Sequence, residues 1–178
     1  PHQDKTKQRI VRTTQEIKRK HQTKLPVTMS EWFECKVKYE RTMQDGALKK
    51  VCEPYLVEAL NFTEAERRII EEVSPYISGE FEVTNITRAR FAEIFDTLED
   101  SADKWYKAKL VFITLDEKSG KEKKTSHNMM VQAASFHDAL KRLDEGMKGS
   151  MADYTIAAIT ETALLDVYRQ KLDLPEKA

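Results

Sequence analysis

The sequence contains few of the residues on which common active-site motifs depend. Its five glycines among 178 residues leave little scope for a phosphate-cradling loop. Neither G-x-x-x-x-G-K-[ST] nor G-x-G-x-x-G occurs, and no G-x-S-x-G nucleophile elbow is present. We therefore assign no catalytic residue and no cofactor, and interpret the chain as a non-enzymatic protein.

Cysteine and histidine are also scarce. The two cysteines, Cys35 and Cys52, are too few for a disulfide framework, which favours a reducing cytoplasm. A metal site needs three or four convergent ligands. Of the four histidines, His127 and His137 lie in the repeat described below, and neither recurs in its other copy. We therefore predict no metal site.

Long apolar runs are absent. No run approaches the roughly 20 residues that a membrane-spanning helix needs, and residues 1–28 lack the apolar segment of a signal peptide. Hydrophobic residues make up 40% of the chain and charged residues 34%, which is typical of globular proteins. The sequence thus predicts a cytoplasmic protein with no membrane partner.

The net charge of zero conceals an uneven distribution. Residues 1–28 contain eight Lys and Arg against two acidic residues, a net charge of +6, so residues 29–178 carry −6. A basic segment of this kind is typical of an arm that contacts nucleic acid or an acidic partner. The alternative is an appended segment ahead of a natural start at Met29.

An internal repeat is the main feature that the sequence does contain. Residues 49–72 align with residues 123–146 at a shift of 74, and Trp32 falls on Trp105 at a shift of 73. Such a repeat sets the architecture. We divide the chain into five parts: a basic arm or appended segment (1–28), repeat unit one (29–95), a linker (96–103), repeat unit two (104–168) and a polar tail (169–178) that we expect to be frayed.

Each unit reads as strand, strand, helix, strand. Apolar and polar residues alternate from Phe33 to Tyr39, as in a half-buried strand. Pro54 marks the second strand as an edge strand or a bulged one. Thr63 is the expected N-cap of a helix from about Glu64 to Val73. In unit two, the expected N-cap is Ser135, with Gly146 and Gly149 ending the helix.

The third strand of unit one is expected to run from Glu80 to Phe95, with a bulge near Asn85 to Thr87, where the alternation changes phase. Its counterpart in unit two is Tyr154 to Tyr168. The fold class is therefore α+β, a tandem duplication with pseudo-twofold symmetry, antiparallel sheets and one helix per unit. One continuous sheet and two packed sheets are both compatible with this pattern.

Basic residues in the strands supply the candidate site. Lys36 and Lys38 are read as counterparts of Lys107 and Lys109, with both pairs pointing away from the apolar face. Arg88 and Arg90 on the third strand are expected to join them. A basic sheet face with aromatic residues can bind nucleic acid by phosphate contacts and base stacking. The alternative is a solvated face balanced by acidic residues, namely Glu34, Glu40 and Glu161.

The chain resembles an uncharacterised domain-of-unknown-function family of Bacteroidota and their phages. The matching segments over residues 29–168 are EWFECKVKYE, KKVCEPYLVEAL with FTEAE, ISGEFEV, KLVFITLDEKSGKEKKTS and RLDEGMKGSMADYTIA. The resemblance implies a cytoplasmic bacterial or phage setting, and it transfers no activity and no functional residue. It excludes residues 1–28, which supports treating them as an addition.

Two functions are compatible with these features. The first is a non-enzymatic binding module that contacts nucleic acid through the basic sheet face. The second is a protein-interaction or structural component, for which we expect a homo-oligomer that closes through the edge strand carrying Pro54.

Overall fold

The structure is a computed structural model that describes residues 30–170. The basic arm and residues 171–178 lie outside the described residues, so the proposed role of the arm stays a prediction. The first half contains β1 (Glu31–Thr42), β2 (Leu48–Ala59), α1 (Phe62–Val73), β3 (Phe81–Ala89) and β4 (Glu93–Phe95). The second contains β5 (Lys104–Leu115), β6 (Glu122–Ala133), α2 (Phe136–Met147), β7 (Asp153–Glu161) and β8 (Asp166–Tyr168).

Each element has the same length as its counterpart in the other half, as a duplicated unit requires. The predicted α+β class with one helix per unit is confirmed. Of the two arrangements that the sequence left open, the structure has two separate sheets. Each contains four strands, in the orders β3-β1-β2-β8 and β4-β6-β5-β7. Neither helix is long and apolar enough to cross a membrane, within residues 30–170.

The helix starts follow local capping chemistry. The N-cap of α1 is Asn61, whose side chain accepts a hydrogen bond of 2.8 Å from the Glu64 N–H, so the predicted cap at Thr63 is wrong. Asn is as good an N-cap as Thr because its side-chain oxygen reaches the same N–H groups. The predicted cap at Ser135 is confirmed by its 3.2 Å bond from the Asp138 N–H.

The third strand of each half carries a bulge, as predicted for unit one. The pairing of β3 with β1 changes register between Val83 and Asn85, so the extra residue is Thr84, just before the expected segment. The bulge lets Val83 and Ile86, on either side of it, both pack against the core beneath α1. The equivalent extra residue in β7 is Ala157.

The third strand does not continue to Phe95, which corrects the sequence interpretation. It ends at Ala89, and the chain crosses to the other half, where β4 pairs parallel with β6. In return, β8 crosses and pairs parallel with β2. Each sheet is therefore completed by a strand from the other half of the chain.

Pro54 does not mark a bulge in the hairpin, because β1 and β2 pair without a register shift along all 12 residues. Its carbonyl accepts a 3.0 Å hydrogen bond from the Leu165 N–H of the returning chain. In a strand, the N–H and C=O of one residue point to the same side. The N–H that proline lacks would therefore face the crossing segment, so the β1–β2 pair loses no hydrogen bond at this position.

Three apolar clusters hold the fold together. Two lie between a helix and its own sheet. The third, which we call the central core, contains Leu56, Ile94, Trp105, Met130 and Leu164. It draws residues from both halves and from both crossing segments, so it joins the two sheets on the sides that face away from their helices.

The last two described residues, Arg169 and Gln170, are held in place, whereas the fraying expected for residues 171–178 lies outside the described residues. The Arg169 guanidinium lies over the Trp32 ring, 5.9 Å from its centroid, and its Nε is 2.8 Å from an Asp96 carboxylate oxygen. The Gln170 N–H donates to the Glu58 carboxylate at 2.9 Å. The Arg169–Asp96 ion pair thereby ties the two crossing segments to each other.

Candidate nucleic-acid interface

The four strand lysines all lie on the face of a sheet that is opposite its helix, which we call the free face. Residues paired directly across two strands share a face. In the first sheet, Lys36 lies between Pro54 and Asn85. Lys38 lies between Cys52 and Glu82, one row further from the central core.

The second sheet carries its lysines nearer to the central core. Lys107 lies between Met130 and Thr160, and Lys109 lies in the next row, opposite Asn128. All four strand lysines are exposed. Within residues 30–170, no carboxylate is within ion-pair distance of any of them. Their ammonium groups are therefore accessible to a ligand.

The predicted equivalence of the two lysine pairs is wrong. Trp32 and Trp105 occupy the same place in β1 and β5, where they pair with Glu58 and Gln132. Counted from these tryptophans, Lys36 is the counterpart of Lys109. The other two lysines have unlike counterparts: Lys107 stands where unit one has Glu34, and Lys38 where unit two has Val111.

The two arginines do not join the lysines. Arg88 pairs opposite Phe33, which places it on the helix-facing side of the sheet. Its guanidinium lies 5.2 Å from the centroid of the Phe62 ring, and its Nε is 3.3 Å from a Glu31 carboxylate oxygen. Arg90 is exposed but follows the end of β3, in the segment that crosses between the halves.

The two free faces differ in charge. On the second, the charged residues are Lys107, Lys109, Lys124, Glu122 and Asp153. On the first, they are Lys36, Lys38, Lys50, Glu34, Glu40, Glu58 and Glu82. Glu161, expected to balance the lysines, lies on the helix-facing side, opposite Tyr106, and its carboxylate is 3.9 Å from Lys104 Nζ. Lysines therefore outnumber acidic residues by three to two on the second free face, whereas acidic residues outnumber lysines by four to three on the first.

Aromatic residues are not available for base stacking on these faces. Among the paired residues of the described strands, the aromatic side chains on the free faces are Trp32 and Trp105. Both pack in or against the central core, and Trp105 is only 3% exposed. A ligand on this surface would be bound by charge and hydrogen bonds rather than by stacking.

Lys124 is the site residue that the sequence interpretation missed. It lies opposite Ile113, on the same face as Lys107 and Lys109. Alternation along β6 indicates that Lys124 or Lys123 faces this way, but only the hairpin register decides which one. Ser126, Thr155 and Thr160 add hydroxyl groups to the same face.

The remaining reactive residues do not form a competing site. Burial raises the pKa of the Cys35 thiol to about 12, so it stays protonated and unreactive at neutral pH. The His127 ring packs edge-on against Phe112, with 5.4 Å between the ring centroids. Within the described part of the chain, no group of three or more His, Cys, Asp or Glu residues is placed to hold a metal ion.

One family model matches this chain, over residues 31–170, and its description is "domain of unknown function (DUF4494)". The match spans all ten described strands and helices, and so covers well over half of the chain. No curated protein matches the sequence. The resemblance to a domain-of-unknown-function family is confirmed, and the chain belongs to the DUF4494 family.

Proposed function

We propose that the protein is a non-enzymatic binding module that contacts nucleic acid through the free face of its second sheet. The observation that carries this proposal is the group Lys107, Lys109 and Lys124. The two carboxylates of that face, Glu122 and Asp153, lie at the hairpin end of the sheet, away from Lys107 and Lys109. Exposed lysines that form no ion pair attract polyanions, because binding releases the counterions that are condensed on the phosphate backbone.

The spacing of the lysines suits a phosphate backbone. Lys107 and Lys109 are two residues apart in β5, which places their Cα atoms about 7 Å apart. This distance is about twice the 3.4 Å rise per nucleotide of one DNA strand. The neighbouring Asn128 and Thr160 can donate hydrogen bonds to phosphate oxygens, as side chains of this kind commonly do.

Three phosphate contacts predict weak and strongly salt-dependent binding. The logarithm of the affinity for duplex DNA should fall with the logarithm of the salt concentration with a slope of about −3. Because no exposed aromatic side chain accompanies the paired lysines on this face, we expect little sequence preference. The free face of the first sheet should contribute little to the affinity for nucleic acid, because its glutamates repel phosphate.

Charge reversal within the full chain tests this proposal. The test variant combines Lys107→Glu, Lys109→Glu and Lys124→Glu, and the matched control combines Lys36→Glu, Lys38→Glu and Lys50→Glu. Fluorescence anisotropy with random single-stranded and duplex oligonucleotides, across a salt series, measures the affinity. We expect the test variant to lose most of the salt-dependent affinity and the control variant to lose much less.

Two results would overturn the proposal. One is the absence of binding by the unmodified chain at low salt. The other is binding that survives charge reversal in the second sheet. In the second case, removal of residues 1–28 would show whether the basic arm carries the binding instead.

A protein-interaction role is the second candidate, and one observation favours it. The edge strands are β3 and β8 in the first sheet and β4 and β7 in the second, whereas β2, which carries Pro54, is an interior strand. The middle of β7, from Thr155 to Thr160, contains no charged residue and no proline, which are the residues that usually protect an edge strand from pairing. Light scattering that shows a monomer at every concentration tested would count against self-association through this edge.

A further inference from the structure

A cavity opens on the helix-facing side of the first sheet, beyond the end of α1. Its volume is about 560 Å³. Its walls come from the far end of β1, from Glu53 in the middle of β2, from the loop between α1 and β3, and from the start of the returning segment. The residues that carry the argument are Tyr39, Glu53, Tyr76, Ile77 and Leu165.

Three charged residues line this cavity: Glu53, which is half-buried, and Glu40 and Arg41, which are exposed. The Glu53 carboxylate accepts hydrogen bonds from the hydroxyls of Tyr39, at 3.0 Å, and of Tyr55, at 3.1 Å. Burial and the neighbouring Glu53 raise the pKa of both tyrosines, so both hydroxyls remain donors at neutral pH. A carboxylate has about four acceptor positions, so two donors orient it and leave capacity for another.

Glu53 forms no ion pair within residues 30–170, although Arg41 lines the same cavity. The lysine, arginine and histidine side chains described there all lie beyond ion-pair distance from Glu53. Glu53 is nevertheless half-buried. A partly desolvated carboxylate that is oriented by two tyrosines favours a positively charged partner.

The second unit shows that the fold does not need the carboxylate of Glu53 or the hydroxyls of Tyr39 and Tyr55. The positions of Tyr39, Glu53 and Tyr55 correspond there to Phe112, His127 and Met129. The equivalent strands and helix therefore form around three side chains that carry no carboxylate and no hydroxyl. The acid and its two tyrosines are a property of unit one rather than a requirement of the architecture.

Part of the remaining lining suits an alkyl chain, alongside the polar side chains of Thr42 and Ser78. Tyr76 is 83% exposed and stands at the edge of the cavity, where its ring is free to cover a ligand. Ile77 and Leu165 provide aliphatic wall. Aromatic rings and one carboxylate together form the type of site that binds organic ammonium ions, since the cation meets both the acid and the faces of the rings.

We propose that this cavity binds a primary ammonium group on an alkyl chain, with the ammonium at Glu53 and the methylene groups against Tyr76 and Ile77. A free alkylamine and the side chain of a lysine in a peptide present the same chemistry. The cavity and the nucleic-acid surface lie on opposite sides of their respective sheets and select opposite charges, so neither proposal depends on the other.

Calorimetric titration of the full chain tests this inference with three probes. Cadaverine represents a free amine, Nα-acetyl-lysine N-methylamide represents a peptide side chain, and n-pentanol is the neutral control. We expect at least one amine to bind and pentanol not to bind. Glu53→Gln should weaken amine binding by about tenfold or more, whereas Glu82→Gln, on the free face of the same sheet, should leave it unchanged.

Tyr76→Ala is the second test variant. Its side chain is largely exposed, so the fold should tolerate its removal, and thermal unfolding of each variant checks this. Binding of only one amine would identify the source of the ammonium group and support the inference. The inference is overturned if neither amine binds the unmodified chain, or if folded Glu53→Gln and Tyr76→Ala variants bind as tightly as the unmodified chain.

Discussion

The two halves of the molecule share a fold and differ in chemistry. Leu56 and Met130 occupy the same fully buried place in the central core, one from each half. On the exposed free faces, in contrast, Glu34 of unit one is replaced by Lys107 in unit two. The comparison teaches that the architecture constrains buried positions, so function should be sought where the halves differ.

A second difference lies where the crossing strands pack against the helices. Phe95 from unit one reaches the last turn of α2, and its ring occupies the space beside Gly146. The equivalent contact in unit one brings Tyr168 near Glu72, whose charge raises the pKa of the tyrosine after the larger effects of burial and Asp166. The equivalent aromatic residues therefore lie beside the last turn of a helix in both halves. Phe95 contacts Gly146 of α2, whereas Tyr168 lies near Glu72 of α1.

The largest expected effect tests the shared core. Leu56→Ala and Met130→Ala each remove a fully buried side chain from the central core. Each should lower the free energy of unfolding by about 2–5 kcal/mol, and by similar amounts, because the positions are equivalent. Urea denaturation followed by tryptophan fluorescence measures this change.

The control for this pair is Leu48→Ala, at a side chain that is 67% exposed, which should alter stability little. The halves should unfold in a single transition, since each sheet contains a strand from the other half. Two separate transitions, or a large loss for only one of the two core variants, would contradict the view of one shared core.

An intermediate effect is expected at Gly146. A Cβ atom at this position would lie 2.6 Å from Cε1 of Phe95, closer than carbon atoms can approach. Gly146→Ala should therefore cost about 1–3 kcal/mol through overpacking, partly offset by the roughly 1 kcal/mol that alanine gains over glycine within a helix. Chemical denaturation measures the net change.

Asp144→Ala, at an exposed position of the same helix, is the control for the helix preference alone and should be close to neutral. Combining Gly146→Ala with Phe95→Leu should recover part of the loss, because the smaller side chain relieves the contact. A stability gain in Gly146→Ala alone would show that Phe95 moves aside freely and that this contact does not distinguish the halves.

The smallest effect concerns the first turn of α2. The Ala134 N–H, 2.9 Å from the carboxylate, and the Arg142 guanidinium lower the pKa of Asp138. Because the folded pKa lies below the unfolded value of about 3.9, the stabilisation is complete above that value and is lost as the pH falls through the folded pKa. The equivalent Glu64 lies 3.4 Å from the Gln170 amide instead.

Asp138→Asn should therefore lower stability near pH 6 and have progressively less effect as the solution is acidified. Urea unfolding of both proteins over a pH series measures the difference. A difference that stays constant from neutral to acidic pH would mean that the charge of Asp138 does not contribute, and that the helix start of unit two resembles that of unit one in this respect.

Much of the candidate surface could be predicted from local alternation. The pattern from Phe33 to Tyr39 places Lys36 and Lys38 on the face opposite the helix, and the registers agree. Arg88 could not be placed in this way. The bulge at Thr84 shifts the alternation by one residue, and a shift of one residue moves a side chain to the other face of the sheet.

The sequence by itself determined the α+β class, the two hairpins and the helix of each half. These features follow from patterns within a few consecutive residues, because strand alternation and helix periodicity are local consequences of burying one face. The internal match at shifts of 73 and 74 residues was sufficient to show that the arrangement occurs twice.

Only the tertiary structure decided which half completes each sheet. The strands β4 and β8 contain three residues each, too few for a periodic pattern, and their positions depend on parallel pairing with distant segments. Their partners are selected by burial of Ile94 and Val167 in or against the central core. That burial requires both sheets to be present, so no local stretch of sequence contains the information.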